Sequence, residues 1–357
     1  MKKIIFCRSL FFFVSMVFFT LFSFVACDQD RRTDGKTIIG VSIPTQREEG
    51  WVRNVQRMKA EAKEHRADMR LQISDNDAAR QLSQCENLLA QNIDVLILAP
   101  HDAAAASVIV EKAHRVGVNV ISFDRLVTNA DVDLYITYDN EKVGEIQGRY
   151  LTGLVPKGAY IVLSGAPTDN NSKMFHRGAM RIIQPFVDRK DIKIVMDQAV
   201  KDWQPAEAMK LMEDALTANR NRIDGVLAPN DGTAGGVIQA LAQQKLAGKI
   251  PVTGQDAEVA AAKRIIEGTQ TMTVFKDTRE LAKQAIEVAI LLAEGKSPAI
   301  NGRVPNGKKS VPAVFLTPVA VDRGNIDRIL IESGYLKRED VYLQQSAPPV
   351  KKAGNHG

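Results

Sequence analysis

Short runs of apolar residues alternate with longer amphipathic segments through most of this chain, beginning at Thr37. The runs have the length and composition of buried strands, and the segments between them repeat apolar residues at helical spacing. The first half of the pattern predicts strands at 37–43, 69–73, 93–99 and 118–123, with helices at 51–64, 77–91 and 103–116. The second half predicts strands at 159–163, 192–196, 224–228, 251–253 and 271–275, with helices at 173–185, 205–217, 233–245 and 259–266.

This alternation predicts an α/β protein built from doubly wound parallel sheets. Strands such as 95–99 are apolar throughout, which indicates sheets covered by helices on both faces. Because there are two series of strands, we expect two lobes, with 134–140 as a crossover between them. A helix at 278–294, a strand at 311–316 and a helix at 322–334 follow, so we expect the chain to recross twice more and form three hinge strands.

The predicted division is an N-terminal lobe of 37–139 plus about 278–308, and a C-terminal lobe of 140–277 plus about 309–342. The tail at 343–357 contains Pro348-Pro349 and paired lysines, a composition typical of disordered, solvated sequence.

Residues 1–26 have the architecture of a secretory signal peptide, with a basic start and an apolar stretch from Leu10 to Ala26. That stretch is almost long enough to cross a bilayer, so an uncleaved anchor is the alternative. Phe24-Val25-Ala26-Cys27 resembles a bacterial lipobox, in which Cys27 would carry lipid and become the mature N-terminus. Residues 27–36 would then be a tether, and the protein would be lipid-anchored in the periplasm or cell envelope.

Charge and cysteine content exclude two classes of protein. The net charge is +5, but removing Lys2, Lys3 and Arg8 leaves 44 basic against 42 acidic residues, or +2, and no basic stripe is present. We therefore expect no nucleic-acid partner. Of the three cysteines, Cys7 would leave with the leader and Cys27 would be lipidated. Cys85 alone remains, so no disulfide framework is expected.

Polar clusters follow three predicted strands of the second lobe: Asn230-Asp231-Gly232, Gln255-Asp256 and Lys276-Asp277. Ligands of parallel α/β sheets bind beyond the carboxyl ends of the strands, so these clusters are expected to meet at one pocket. An amide, a carboxylate and an ammonium group offer hydrogen bonds to the hydroxyls of a neutral polyol. We single out Asn230, Asp256 and Lys276 as binding residues of a sugar-sized pocket.

The two tryptophans of the chain, Trp51 and Trp203, both fall where a strand leads into a helix. Their rings suit stacking on the C–H faces of a pyranose, and packing of a loop is the alternative for each.

Two further clusters follow predicted strands. Asp124 and Arg125 would bind hydroxyls from the first lobe, with a solvated ion pair as the alternative. Of Asn170 and Asn171, we expect one to cap the helix predicted at Lys173 and the other to face the ligand.

The sequence contains no motif of a cofactor, a metal or a catalytic centre. Asp231-Gly-Thr-Ala-Gly-Gly matches neither nucleotide-binding glycine pattern, and the five histidines lack ligand spacing. A GxSxG elbow is also absent. We therefore expect a binding protein rather than an enzyme, with no cofactor and no metal. A pair of carboxylates for glycoside cleavage stays open, because that geometry is spatial.

From about Thr37 to Tyr342 the chain resembles the D-xylose-binding proteins of bacterial ABC transporters, within the ribose/galactose-type sugar-binding family. The segments that carry the resemblance are 118–126, 138–144, 168–173, 216–224, 230–241 and 254–276. It implies a class I periplasmic binding protein, with two α/β lobes, three hinge strands and a cleft that closes on a sugar. It also implies binding roles for Trp51, Asp124, Arg125, Asn171, Trp203, Asn230, Asp256 and Lys276.

One position departs from the family pattern. An arginine commonly precedes the first tryptophan in D-xylose-binding members, and here that position is Gly50. The segments around Gln255 and Lys276 are also similar to the multiple-sugar-binding branch.

We expect a monomeric receptor that delivers a monosaccharide to an ABC permease in the inner membrane, with D-xylose as the expected ligand. A broad-specificity aldose receptor that also serves chemotaxis is the alternative.

Overall fold

The computed structural model describes residues 35–342. The predicted leader, Cys27 and the predicted tail at 343–357 lie outside the described residues. All features below belong to the compact unit that begins at Thr37.

The strands and helices alternate along the chain as the hydrophobic pattern predicts. The strands are β1 (Ile38–Ile43), β2 (Asp68–Ile73), β3 (Val95–Leu98), β4 (Asn119–Phe123), β5 (Leu134–Tyr138), β6 (Gly158–Ser164), β7 (Ile192–Ala199), β8 (Gly225–Leu227), β9 (Met272–Phe275), β10 (Gly302–Pro305), β11 (Ser310–Leu316) and β12 (Val319–Asp322). The helices are α1 (Glu49–Glu64), α2 (Ala78–Ala90), α3 (Ser107–Arg115), α4 (Asn140–Leu154), α5 (Asn170–Asp188), α6 (Pro205–Ala218), α7 (Asp231–Gln243), α8 (Val259–Glu267), α9 (Thr278–Ala293) and α10 (Arg338–Val341).

The first lobe is built on a seven-stranded sheet with the order β10-β11-β5-β4-β3-β1-β2. Its strands are parallel except for β10, which runs antiparallel to β11 at the edge. Helices α1 and α9 bury one face of this sheet, and α2 and α3 bury the other. Helices on both faces explain why every residue of β1 and β3 is buried, Ser42 of β1 included, since neither side of the sheet meets water. The predicted doubly wound α/β fold is confirmed.

The second lobe contains a parallel three-stranded sheet, β7-β6-β8, and a two-stranded antiparallel ribbon of β9 and β12. Helices α6 and α7 cover one face of the three-stranded sheet, and α4 and α5 cover the other. The predicted strand at 251–253 is reduced to a single parallel bridge between Val226 and Val252.

Helices α4 and α5 pack with their backbones in close contact. A Cβ atom at Gly144 of α4 would lie 1.9 Å from the carbonyl oxygen of Phe175, and one at Gly178 of α5 would lie 2.0 Å from that of Glu141. Only glycine fits at these two positions, because the neighbour in each case is backbone. Glycine also lowers helix propensity, and the sequence pattern did not predict α4.

The end of the chain corrects two predictions. The boundary predicted near residue 309 assigned the strand predicted at 311–316 to the second lobe, but the corresponding β11 pairs in parallel with β5 and belongs to the first sheet. The helix predicted at 322–334 is much shorter in the structure and of another type. Strand β12 occupies 319–322, and a five-residue π-helical turn occupies 327–331.

Among residues 35–342, the chain passes between the lobes three times: after β5, after β9 and after β11. Two of these crossings are joined directly, since the hydroxyl of Tyr138 donates to the carbonyl oxygen of Asp277 over 2.9 Å. The cleft lies beside these crossings. No helix in the described part has both the length and the apolar character needed to cross a membrane.

Candidate ligand-binding cleft

A small cavity lies between the two lobes, at the carboxyl ends of the strands. The centre of a water molecule can occupy about 80 Å³ of it, which is room for about half a dozen waters. The size suits one sugar ring rather than an oligosaccharide. The lining includes every residue that the sequence singled out: Trp51, Asp124, Arg125, Asn171, Trp203, Asn230, Asp256 and Lys276.

The charged centre of the cavity is Lys276, which follows β9. Its Nζ lies 3.0 Å from Oδ1 of Asp256 and 4.0 Å from Oδ2 of Asp124. Burial opposes the charge of the ammonium group, but the two carboxylates outweigh that effect and raise the pKa of Lys276. Burial raises the pKa of Asp124, and Lys276 opposes this shift. The centre combines a donor with two acceptors and joins both lobes.

Asp124 is held by hydrogen bonds to its backbone. Its carbonyl oxygen accepts from the hydroxyls of Tyr135 and Thr137, each over 2.8 Å, and from Nδ2 of Asn171 over 3.0 Å. These three donors fix the backbone of Asp124, whose φ is 57°. This left-handed conformation is uncommon for residues other than glycine. The carboxylate therefore has a set direction into the cavity.

Arg125 pairs across the cleft rather than with its neighbour. Its Nε lies 2.8 Å from Oδ2 of Asp169, with both side chains buried, so the alternative of a solvated ion pair with Asp124 is wrong. Asp169 also caps α5, because its Oδ1 accepts from the backbone N–H of Asn171 over 2.9 Å. The predicted capping role of Asn170 or Asn171 is thus corrected. The guanidinium carbon of Arg125 stands 5.5 Å from the ring centroid of Trp51.

Asn171 and Asn230 line the cavity with part of their hydrogen-bonding capacity already used. Oδ1 of Asn171 accepts from Nδ2 of Asn140 over 3.0 Å, while its own Nδ2 holds Asp124. Asn230 caps α7, and its Oδ1 accepts from the backbone N–H and the hydroxyl of Thr233. What Asn230 retains for the cavity is its amide nitrogen.

The two indoles occupy opposite lobes. Trp51 stands in the first turn of α1, 6.5 Å from Phe123 between ring centroids. Trp203 lies over Gly165, where a Cβ atom would come within 1.9 Å of the ring, and meets Phe175 edge-on at 6.3 Å. Glycine at 165 makes room for this ring. Both indoles pack against a neighbouring aromatic ring and also line the cavity.

A buried carboxyl supports the loop that carries Asp256. Asp231 accepts from Nε2 of Gln270 over 2.7 Å, from the hydroxyl of Thr273 over 2.9 Å and from the backbone N–H of Glu258 over 3.1 Å. Burial raises the pKa of Asp231 to about 7, with a contribution from Asp256. The sequence placed Asp231 in the polar cluster, and the structure places it beneath the cavity.

Several lining residues were not singled out from the sequence. Gln255 directly precedes Asp256, and Asp169 directly precedes Asn170 and Asn171, which share its preference for helix caps. Glu48 immediately precedes α1, and Asn54 lies in its second turn. The signal for both in the sequence was their proximity to Trp51 and to Gly50, which departs from the family pattern. The remaining members are Tyr138, Phe175, Thr278 and Leu281. Within residues 35–342, no group of three or more His, Cys, Asp or Glu side chains could hold a metal ion.

The lobes touch around the mouth of the cleft. The backbone N–H of Ala103 donates to the carbonyl oxygen of Thr168 over 2.9 Å. Nη2 of Arg47 donates to the carbonyl oxygen of Asp202, next to Trp203, over 2.7 Å. The structure is therefore that of a closed cleft.

Comparison with known proteins gives consistent results. Residues 39–297 match the family model of the periplasmic binding protein domain. The D-xylose-binding periplasmic protein of Haemophilus influenzae is 42% identical over 90% of this chain and 96% of its own length. That of Escherichia coli is 43% identical over 85% of this chain and 92% of its own. A carbohydrate transporter solute-binding protein from Chloroflexus aurantiacus, solved in complex with D-glucose, superposes with a TM-score of 0.80 at 34% identity, covering 85% of this chain and 97% of that one.

Proposed function

This chain belongs to the periplasmic binding protein family, and we propose that it is the receptor of a sugar ABC transporter. As a member of that family it is a solute-binding protein rather than an enzyme. It captures a monosaccharide in the interlobe cleft and delivers it to the permease in the inner membrane. D-xylose is the proposed preferred ligand. The observation that carries the proposal is the convergence of polar side chains from both lobes on one cavity of single-ring size.

Each group of the lining has a chemical role toward a neutral ring. Asp124 and Asp256 accept from hydroxyls, while Lys276 and Arg125 donate to hydroxyl or ring oxygens. Trp51 and Trp203 offer aromatic faces to C–H groups. Hydrogen bonds to charged groups each contribute roughly 1.5–3 kcal/mol. Three or four of them, together with stacking, reach the roughly −8 kcal/mol of a micromolar site after ordering costs.

A second candidate is a broad-specificity aldose receptor. Gly50, which lines the cavity, leaves space where a side chain would otherwise stand. The similarity to a solved receptor in complex with D-glucose also favours this candidate.

The receptor is a monomer anchored by lipid on Cys27 and works on the periplasmic side of the membrane. Support comes from the apolar leader, from the lipobox-like Phe24-Val25-Ala26-Cys27 and from the periplasmic relatives. Mass spectrometry of the mature protein tests the anchor, since an unmodified Cys27 or a different N-terminus contradicts it.

Isothermal titration calorimetry with D-xylose, D-glucose, D-galactose and arabinose tests the receptor function, using the wild type and Asp256→Ala. The variant removes a charged acceptor and leaves Lys276 without its nearer partner, so affinity is expected to fall at least about tenfold. Asp188→Ala, on the exposed surface of α5, is the matched control and should bind as the wild type does. Failure of the wild type to bind any monosaccharide, or unchanged affinity in Asp256→Ala, would contradict the proposal.

A further inference from the structure

The cavity lining contains buried acceptor atoms that no protein group satisfies. Oδ1 of Asn54, Oε1 of Gln255 and Oε2 of Glu48 are buried, and none has a hydrogen-bond partner in the structure. Leaving a buried acceptor unpaired costs on the order of 1–3 kcal/mol. All three atoms accept, so their missing partners are donors, while Nε1 of Trp203 in the same lining is a buried donor without a partner. A hydroxyl group satisfies either need, because it both donates and accepts.

Two of these acceptors lie at the start of α1, around Gly50. Glu48 precedes the helix, and Asn54 stands four residues after Gly50, a spacing that puts both on one side of a helix. A Cβ atom built at Gly50 would have only Cγ2 of Thr278 within 4 Å, at a distance of 3.9 Å. We call this part of the lining, Glu48, Gly50, Asn54 and Thr278, the Gly50 end.

The Gly50 end differs in character from the charged centre around Lys276. Its polar side chains supply unpaired acceptors, and the absent side chain at Gly50 supplies room. A substituent that enters here must be small and must carry a hydrogen-bond donor. A carboxylate or phosphate is disfavoured at this end, because Glu48 is its one charged residue and like charges repel.

We propose that the Gly50 end takes the hydroxymethyl group of an aldohexose, with its hydroxyl donating to Asn54 or Glu48. The receptor accordingly binds D-glucose as well as D-xylose. This inference rests on the proposed function, since it assumes a pyranose held at the charged centre. The two sugars differ only by that hydroxymethyl group on the ring, so they form a matched pair of probes for the Gly50 end.

The test is isothermal titration of D-xylose and D-glucose against the wild type, Gly50→Leu and Asn54→Leu. The wild-type dissociation constants for the two sugars should lie within about tenfold of each other. Gly50→Leu fills the Gly50 end with an apolar side chain. It should weaken the binding of D-glucose at least tenfold and the binding of D-xylose less than threefold. Asn54→Leu removes the amide at similar size, and should also weaken D-glucose more than D-xylose. Gly153→Leu, on an exposed stretch of α4 with no atom near a Cβ, controls for the glycine-to-leucine change.

The outcomes separate this inference from the function on which it rests. Tight binding of D-xylose with D-glucose more than a hundredfold weaker overturns the inference and leaves the receptor function standing. Equal losses for both sugars in Gly50→Leu and Asn54→Leu, or no loss in either variant, overturn it as well. If the wild type binds neither sugar, both proposals fail.

Discussion

The two carboxylates beside Lys276 both stand on left-handed backbone, with φ of 57° at Asp124 and 97° at Asp256. Such conformations cost on the order of 1–3 kcal/mol each and persist only where the surrounding structure determines them. Here three donors hold the carbonyl of Asp124, and the backbone N–H of Asp256 donates to Val274 over 2.9 Å. Both acceptors are thus oriented by the protein, which lowers the ordering cost of binding.

Acidic groups crowd one side of this site, and Glu258 bears the consequence. Burial raises the pKa of Glu258 to about 8, with further contributions from Asp231, Asp256, Glu49 and Glu48. Between its ordinary pKa of 4.5 and the raised value, the folded protein holds a proton on this carboxyl and the unfolded chain does not. The free energy of unfolding therefore falls as the pH rises from about 5 to about 8.

Glu258→Gln should remove most of that dependence, because glutamine keeps the shape and cannot ionise. We expect the variant to be more stable than the wild type at pH 8 by about 1–3 kcal/mol, with a much smaller difference at pH 5. Urea unfolding at the two pH values measures both. Glu111→Gln, on the exposed surface of α3, is the control and should show no pH-dependent difference. A stability difference for Glu258→Gln that is the same at both pH values would refute the account.

At the scale of elements, the hydrophobic pattern predicted residues that line the cavity, because strand ends are local features. The apolar runs of β4 and β9 stop at Phe123 and Phe275, and the polar residues that follow, Asp124 and Lys276, line the cavity. The parallel sheet of the first lobe brings the end of β4 to the cleft, and the end of β9, in the antiparallel ribbon, reaches the same cavity from the second lobe. Once the strands were recognised, the position of those residues followed without any knowledge of distant contacts.

The elements that the pattern missed depend on distant contacts. In α4, Gly144 lets the backbone of α5 approach, and this contact favours the glycine although it weakens the local helical signal. The pattern predicts a strand at 311–316, yet nothing in those residues indicates that β5 is its neighbour. Pairing between strands so far apart in sequence is a property of the folded chain.

The cap of α5 shows the same limit at a single position. Asp169, Asn170 and Asn171 are all residue types that cap helices well, so local preference does not choose among them. Asp169 is the cap in the structure, and its other oxygen accepts from Arg125 of the first lobe. Arg125, the partner that sets Asp169 apart, lies across the cleft and 44 residues earlier in the sequence. A local pattern contains no information about it.

For the whole molecule, the proposed function predicts that the two lobes close on a ligand. Helix α1 of the first lobe supplies two contacts to the second lobe through Glu49 and Arg53. Oε2 of Glu49 accepts from the backbone N–H of Val259 over 3.2 Å. Nη1 of Arg53 donates to the carbonyl oxygen of Tyr335 over 2.8 Å, and its guanidinium carbon stands 4.7 Å from that ring. Glu49 and Arg53 also pair with each other at 3.0 Å.

Neither residue of this bridge lines the cavity, so the bridge stabilises the closed form without touching the ligand. A sugar held by both lobes binds the closed form preferentially, and its apparent affinity depends on the fraction of the protein that can close. Contacts at the edge of the cleft therefore contribute to sugar affinity through the closing equilibrium alone.

Arg53→Gln tests this coupling, because it removes the guanidinium from the bridge and leaves every lining residue in place. Loss of about 1 kcal/mol of closed-state stabilisation should weaken sugar binding about fivefold, mainly through faster dissociation, since the contact forms only after the lobes meet. Stopped-flow kinetics measures the rates, and small-angle scattering at subsaturating sugar should give a larger mean radius of gyration than the wild type. Arg80→Gln, whose arginine pairs with Asp75 inside the first lobe, is the matched control. Unchanged affinity and dissociation rate in Arg53→Gln would mean that the bridge does not stabilise the closed form, and that closure depends on the ligand and the remaining contacts between the lobes.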